Sequence, residues 1–463
     1  MKAKKLISLL LAGLMAMSVL GGCQNAPAQE GSAAPEGSSQ AEADDGGAST
    51  GETVTIRVWG GVPPESGPQE SIDNFNEAFK DKGIQAEYER FVNDDTGNLK
   101  LETNLLSGSD VDVYVTYGVS VLEKRASGNM ALDLTELIER DGFDVEGTFG
   151  SMAHAYDIDG KPYSIPTKLD QYGIVINKDM FDEAGIEVPT EWTYDEFREI
   201  AKQLSHGEGQ DRVYGMFFNT QQDILGPLAT YFTVQTLGGD PFYKSETEAN
   251  INNPTNVAVL DLVNNMMNVD MSAPTHTDSV TQKLSQEGMF LTGKAAMSIG
   301  PWMVRSIKDT AQYPHDFVTA FAPYPVADKS EVKYTQGGYG DLLCINPKSK
   351  NIDACWEYIK WYATEGMLPV VAGGRVPAAN TYNADDVTSA FLAGAEELFD
   401  VESTKNVLIQ PADNYAVPSI TNKLPEITKV LQEEVEGVFT GKQTAQEGLD
   451  KAQERATELL AAG

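Results

Sequence analysis

The sequence has few cysteines and histidines, and it lacks the common enzyme motifs. Cys23, Cys344 and Cys355 are its only cysteines, and its four histidines lie far apart in 463 residues. None of these residues has the short spacing of a zinc site. The sequence also contains no G-x-S-x-G elbow, no P-loop and no H-E-x-x-H segment. We therefore expect no metal, no cofactor and no catalytic residue.

Positive charge is scarce as well. The chain carries 34 lysines and arginines against 69 acidic residues, which gives a formal net charge of −35 at pH 7. A field of this sign repels nucleic acid and anionic membrane surfaces, so neither is an expected partner. The simplest consequence of the acidity is solubility.

Long hydrophobic runs are missing except at the N-terminus. Lys2, Lys4 and Lys5 precede the apolar run Leu6–Leu20, which is shorter than the roughly 20 residues needed to span a bilayer. This order predicts a signal peptide over residues 1–22. Leu20-Gly21-Gly22-Cys23 resembles the bacterial lipobox, which implies a lipidated Cys23 and stable anchoring through its acyl chains. The alternative is an ordinary secretory signal in which Cys23 is incidental.

Residues 24–52 contain no aromatic residue, no leucine, isoleucine or valine, and no base. Such a segment buries too little apolar surface to offset its ordering entropy, so with Cys23 it is predicted to form a disordered tether over residues 23–52. A flexible coil of this length reaches about 30 Å on average. We expect the folded body to work outside the cytoplasm, anchored to the outer face of the bacterial cell membrane.

Strands and helices are predicted to alternate in the folded body. The stretch TVTIRVWGG reads as a strand, Ile72, Phe75 and Phe79 mark one face of a helix, and SDVDVYVTYG reads as a buried strand. This order predicts an α/β fold with a mostly parallel sheet. Further on, Thr193 and Glu196 form a capping box before a helix, and two helices flank Gly441 at the C-terminus.

Cys344 is expected in a strand and Cys355 in a helix. Buried free thiols are commoner than a disulfide at such positions, although an exported protein permits a disulfide.

Three predicted strands end with an aromatic residue beside glycine. The ends are Trp59-Gly60-Gly61, Tyr117-Gly118 and Gly300-Pro301-Trp302. Ligands of open α/β sheets bind at the carboxyl ends of strands. Flat rings together with nearby carboxylates suit a sugar, which has an apolar face and a rim of hydroxyls. For each ring alone, the alternative is packing in the core.

Several longer stretches together resemble one family. They are YSIPTKLDQYGIVINKDMFDEAGIEVPTEWTYDEF, FLTGKAAMSIGPW, QGGYGDLLCINPKSKNIDACWEYIKW and TAQEGLDKAQERA after Gly441-Lys442. In this order they are similar to the family 1 extracellular solute-binding proteins, the sugar-receptor lipoproteins of bacterial ABC importers. The resemblance covers about residues 53–460.

The resemblance implies a two-lobed, periplasmic-binding-protein-like (type II) α/β fold with a hinge and an interlobe cleft. The chain would cross between lobes near Pro166–Gly173, Gly337–Gly340 and Gly374–Pro377. Lobe 1 would comprise residues 53–166 and 341–374, and lobe 2 residues 167–340 and 375–463. Glycine and proline at the crossings suit positions that absorb changes in dihedral angle.

The resemblance also implies the ligand contacts. Trp302 would stack on a pyranose ring, with the core of lobe 2 as its alternative place, and Trp59 and Tyr117 would face it or pack within lobe 1. Asp170 and Lys168 would bind hydroxyls or lie in a solvated hinge, and Arg375 would bind ligand or fix the hinge through a salt bridge. The full predicted set is Trp59, Gly60, Glu65, Tyr117, Asp170, Trp302, Gly338, Tyr339, Arg375 and Tyr415.

The implied function is capture of a mono- or oligosaccharide by hinge closure, followed by delivery to the permease subunits of an ABC importer. No chemical step is expected, and the family implies a monomer. The alternatives are a binding protein for another solute (a peptide or polyamine), a lipid-anchored carbohydrate hydrolase, and an adhesion or scaffold role.

Overall fold

The computed structural model describes residues 53–108, 110–299, 303–331, 333–410, 412, 414–416 and 422–462. The predictions for the signal peptide, for Cys23 and the tether, and for Gly300, Pro301 and Trp302 lie outside the described residues.

The described residues form these strands: β1 Val54–Gly60, β2 Ile84–Arg90, β3 Val113–Thr116, β4 Ile165–Gln171, β5 Ile174–Asn177, β6 Tyr214–Phe217, β7 Tyr243–Ser245, β8 Glu248–Ala249, β9 Ala295–Ile299, β10 Thr319–Ala322, β11 Thr335–Ile345, β12 Val376–Pro377 and β13 Tyr415–Ala416.

The α-helices within the same residues are α1 Pro68–Ala78, α2 Asp95–Ser107, α3 Val119–Ser127, α4 Thr135–Asp141, α5 Val145–Phe149, α6 Lys178–Glu183, α7 Tyr194–Leu204, α8 Thr233–Leu237, α9 Pro254–Asn268, α10 His276–Gln282, α11 Gln286–Phe290, α12 Met303–Lys308, α13 Ile352–Thr364, α14 Leu368–Val371, α15 Ala384–Leu392, α16 Val401–Thr404, α17 Leu424–Phe439 and α18 Ala445–Ala461.

Lobe 1 is built on a sheet with the strand order β12-β4-β11-β3-β1-β2, and β13 pairs with β11. The first strands, β1, β2 and β3, are parallel, as predicted. The prediction of a mostly parallel sheet is wrong for β4, β11 and β12, because β11 returns antiparallel between β3 and β4, and β12 is antiparallel to β4. Helices α1 and α13 cover the sheet, and Phe75 and Trp356 are fully buried there.

Lobe 2 is built on a sheet with the strand order β10-β5-β9-β6. Here β5 is antiparallel to both neighbours and β6 is parallel to β9. The register pairs Ile174 with Ile299 on one side and with Ala322 on the other, so the start of β5 and the ends of β9 and β10 share one edge. Helices α7, α9, α17 and α18 contribute to the core on this sheet.

Several local predictions are confirmed. Thr193 and Glu196 form both hydrogen bonds of the capping box at the start of α7. Two helices, α17 and α18, flank Gly441. Cys344 lies in β11 and Cys355 in α13, and both are buried free thiols.

Candidate ligand-binding cleft

Three strands, β4, β11 and β12, form an antiparallel ribbon where the chain passes between the lobes. We call these strands the hinge ribbon. The chain leaves lobe 1 through β4 and reaches β5 after two residues, and β11 brings it back from lobe 2. A Cβ on Gly337 would lie 2.0 Å from the carbonyl oxygen of Asp170, and Gly337 has φ +156°. Glycine is therefore required where β11 meets β4.

Two ion pairs neutralise carboxylates on the hinge ribbon. Lys168 pairs with Asp170, and Arg375 Nε lies 2.8 Å from Asp341 Oδ2. All four side chains are largely buried. The guanidinium therefore fixes the third crossing to the second, which favours the salt-bridge alternative for Arg375. Since each carboxylate has its cation, these two pairs together carry little net charge.

Tyr172 extends the same network toward lobe 2. Burial raises the pKa of its hydroxyl, and the nearby Asp170 carboxylate, to which it is hydrogen-bonded, raises it further. Asp170 also lies over β11, since a Cβ on Gly340 would be 2.3 Å from Asp170 Oδ2. The ribbon borders a cavity of about 180 Å³ whose lining includes Lys168, Asp170, Arg305 and Arg375. Sugar hydroxyls can exchange hydrogen bonds with charged side chains of this kind.

The predicted residues at the ends of β1 and β3 are packed within lobe 1. Trp59 is 2% exposed and belongs to the core around Leu101 and Tyr114, and Lys100 Nζ lies 4.7 Å from the centre of its ring. This placement favours the packing alternative. Glu65 is exposed in a short 3-10 helix between β1 and α1.

The glycines after β1 make room for tyrosines. A Cβ on Gly60 would lie 2.7 Å from the Tyr88 hydroxyl, and the Gly61 N–H donates to the Tyr117 hydroxyl at 2.7 Å. Burial raises the pKa of Tyr117. The Tyr117 ring is half-buried and packs against Phe91. The close approach permitted by these glycines is therefore occupied by rings of lobe 1.

The predicted tyrosines at this crossing, Tyr339 on β11 and Tyr415 on β13, are fixed by hydrogen bonds. Tyr339 donates its hydroxyl proton to the Phe149 carbonyl, and its N–H donates to the Tyr156 hydroxyl at 2.8 Å. Burial raises the pKa of Tyr156 to about 12. Gly338, the preceding residue, pairs with Asp170. Tyr415 donates to Gln171 Oε1 at 2.7 Å. These contacts hold both rings at the crossing, half-buried and still partly exposed.

The lobe 2 side of the cleft contains residues that the sequence analysis missed. A cavity of about 170 Å³ lies at the ends of β6 and β9, and Asn219, Gln222, Asp223, Tyr231 and Ile299 line it. Burial raises the pKa of the Asp223 carboxyl, while the backbone N–H groups of Gly226 and Leu225 lower it. The three residues that follow Ile299 include Trp302, which lies outside the described residues.

The missed residues follow a strand that the sequence analysis did not recognise. Tyr214–Phe217 is only four residues long and carries no apolar–polar alternation. Its carboxyl end lies beside the end of β9, since Phe217 pairs with Ser298. The strand-end rule that identified Trp302 would have identified this loop, had β6 been assigned.

The described part of the chain contains no group of three histidine, cysteine or acidic side chains able to hold a metal ion. Within the same residues, no helix combines the length and apolarity needed to cross a membrane.

Comparisons with known proteins identify relatives. The family model described as bacterial extracellular solute-binding protein matches residues 63–368. A binding protein of Brucella abortus is 24% identical over 269 residues, which cover 53% of this chain and 62% of that protein. The maltotriose-binding protein of Pyrococcus abyssi is 26% identical over 224 residues, covering 47% and 43% of the two chains. The match thus spans less than two thirds of these curated relatives.

Solved structures resemble the whole folded body. A sugar transporter from Rhizobium etli in an open conformation has TM-score 0.71 at 21% identity, covering 89% of this chain and all of that one. The sugar-binding protein MalE from Xanthomonas citri has TM-score 0.67 at 18% identity, covering 88% and 98%. These similarities show the predicted fold: two lobes of the periplasmic-binding-protein type, joined by a hinge and separated by a cleft. The resemblance inferred from the sequence is confirmed by the family match, and this chain belongs to the bacterial extracellular solute-binding proteins.

Proposed function

We propose that this protein is the substrate-binding component of a carbohydrate ABC importer, which captures a sugar by hinge closure and delivers it to permease subunits. The observation that supports this most directly is the hinge ribbon, on which paired charges and fixed tyrosines border a cleft between two lobes. Relatives that bind maltotriose and arabinooligosaccharides support the ligand class. So do similar folds solved with cycloalternan and with acarbose.

The proposed mechanism follows from the placement of these groups. Asp223 and its neighbours belong to lobe 2, while Asp170 lies on the ribbon and Arg375 directly precedes its strand β12. A sugar that contacts both sets, and lobe 1 as well, makes all its contacts only when the lobes approach each other. Binding therefore shifts the population toward the closed form. A micromolar affinity corresponds to about −8 kcal/mol.

We propose a neutral oligosaccharide as the ligand. Asp170 and Asp341 already have cationic partners, so the ribbon offers no uncompensated carboxylate to a cationic solute. The predicted stacking of Trp302 on a pyranose ring belongs to this proposal, and so do the predicted contacts of Glu65, Tyr117, Gly338, Tyr339 and Tyr415. The lobe boundaries given by the sequence analysis are likewise part of it.

The test is a titration of tryptophan fluorescence in a protein of residues 53–463, with maltotriose and cyclic glucans as probes. We expect a saturable change that Trp302→Ala abolishes. Asp223→Asn should weaken binding about 10- to 100-fold, because a hydrogen bond to a charged group typically contributes that much to affinity. Asp211→Asn, exposed before the start of β6, is the matched control and should bind normally.

Other outcomes would contradict the proposal. A fluorescence change with peptides or polyamines, and none with sugars, would indicate a receptor for another solute. Release of shortened sugars in the same samples would indicate a hydrolase. A family of binding proteins is generally non-enzymatic, so we expect the sugar to be recovered unchanged.

We further propose that Cys23 is lipidated after removal of residues 1–22, and that residues 24–52 tether the folded body outside the membrane. The basis is the lipobox-like Leu20-Gly21-Gly22-Cys23 and the composition of the segment that follows. Labelling of the expressed chain with radioactive palmitate should be lost in Cys23→Ser. Equal labelling of Cys23→Ser would contradict the proposal.

A further inference from the structure

A second, larger cavity lies against the hinge ribbon, on the side of Gln171. Its volume is about 480 Å³, within the range of small-molecule sites. Successive side chains of a strand point to opposite faces, so Asp170 and Gln171 point to opposite faces of β4. Gln171 donates to the carbonyls of Val407 and Gln410, and all three residues line this cavity, whereas Asp170 does not. We call it the Gln171 cavity.

The charge of the Gln171 cavity differs from that of the hinge ribbon. Asp400 and Glu402 line it, and no lysine or arginine is among its lining residues. Neither carboxylate takes part in an ion pair within the described part of the chain. Two lysines nearby in sequence are already paired, Lys405 with Asp385 and Lys333 with Glu191. The cavity therefore carries two carboxylates that form no ion pair among the described residues, although Asp400 helps to raise the pKa of the neighbouring Lys178 ammonium.

Part of the wall of the cavity is aromatic and apolar. It includes the rings of Tyr172, Phe321 and Tyr324 and the prolines Pro189 and Pro323. Tyr324 is 3% exposed, and its hydroxyl has no hydrogen-bond partner among the described residues. Aromatic faces attract cations through their quadrupole, and the attraction grows when the cation is desolvated.

We propose that the Gln171 cavity binds a small organic cation that carries one or more amine groups. Its carboxylates supply charge complementarity, and its rings and prolines accept the alkyl and ammonium surface. Gln171 and Tyr172 line both this cavity and the one beside Asp170, but the carboxylates of the Gln171 cavity are not the paired ones of the hinge ribbon.

The experiment titrates the full chain with spermidine and with choline by isothermal calorimetry, at about 0.15 M salt to screen the acidic surface. We expect saturable binding of one equivalent of at least one probe. Glu402→Gln combined with Asp400→Asn should weaken it at least tenfold. Asp400 caps α16 by accepting the Ser403 N–H, and asparagine caps equally well, so the fold should be retained.

The matched control is Glu397→Gln, because Glu397 is exposed and lies outside the cavity five residues before Glu402. Its affinity should stay within twofold of the parent. Binding that the Asp400 and Glu402 variant leaves unchanged would overturn the proposal, and so would heats that never saturate. Cation binding lost in Asp223→Asn instead would place the amine in the cleft. Sugar binding is measured in a separate titration, so a failure of the sugar proposal can be distinguished from a failure of the cation proposal.

Discussion

At the scale of single residues, the Gln171 side chain makes four hydrogen bonds at the hinge. Its amide donates to Val407 and Gln410 at 2.7 Å each, and its oxygen accepts from the Ala412 N–H and the Tyr415 hydroxyl. The side chain is only 7% exposed. It therefore ties the segment after α16, and β13 beyond it, to the end of β4.

Replacing Gln171 by leucine should lower the free energy of unfolding by about 2–4 kcal/mol, because two partly buried carbonyls lose their donor and the Tyr415 hydroxyl loses its acceptor. Tyr415→Phe removes a single hydroxyl and should cost about 1 kcal/mol. Urea unfolding followed by circular dichroism measures both. Equal losses in the two variants would show that the amide is not the central contact.

His276 provides a pH dependence at the scale of one side chain. Burial lowers its pKa from the usual 6.5, while Glu436 acts in the opposite direction. His276 Nδ1 lies 3.0 Å from the Thr220 hydroxyl. The unfolded chain therefore binds the proton more readily, so stability should fall as pH decreases below about 6.5.

A His276→Gln variant should lose less stability than the parent between pH 7.5 and 5.5, because glutamine does not titrate. Thermal unfolding at matched ionic strength measures this difference. Parallel decreases in both proteins would assign the pH effect to other groups.

Residue-level prediction from sequence depended on knowing which way a side chain points. The end of β1 was located correctly, but Trp59 and the glycines after it proved to serve packing within lobe 1. Composition at a strand end cannot distinguish a ring that faces a cleft from one that faces the core. The partner of Arg375 was equally hidden, because Asp341 lies 34 residues away in sequence.

At the scale of elements, local chemistry was predictable where it depends on neighbours in sequence. The capping box of α7 is an example. The Thr193 N–H donates to Glu196 Oε2 at 2.7 Å, and the Glu196 N–H donates to Thr193 Oγ1. Strand β6 was missed because three of its four residues are buried and the fourth is half-buried, so its sequence shows no alternation of apolar and polar residues. The antiparallel insertion of β11 was missed because strand order depends on distant pairing.

Thr193→Ala should destabilise the protein by about 1 kcal/mol through loss of the cap, whereas Thr193→Ser should be nearly neutral. Thr444 caps α18 in the same way, so Thr444→Ala provides an internal comparison of similar size. Chemical unfolding of the three variants measures the effects. A serine variant as unstable as Thr193→Ala would show that packing of the methyl group, not capping, is responsible.

At the scale of the whole molecule, the net charge of −35 should influence the two proposed ligands differently. The carboxylates of the hinge ribbon are internally paired, so sugar affinity should change less than twofold between about 0.05 and 0.5 M salt, where screening becomes strong. Affinity for an organic cation should fall across the same range. Calorimetric titrations at three salt concentrations measure both, and a steep salt dependence for the sugar would indicate a charged ligand.

The hinge ribbon also constrains the order in which the protein folds. Strand β11 lies between β3 and β4 in the sheet of lobe 1, yet all of β5 to β10 is synthesised before it. At ordinary rates of translation this delay is about 10–30 s. The sheet of lobe 1 therefore stays incomplete until most of lobe 2 has left the ribosome, and pairing between such distant strands is intrinsically slow. We propose that the chain is exported, and the late completion of this sheet lengthens the time during which the chain remains unfolded.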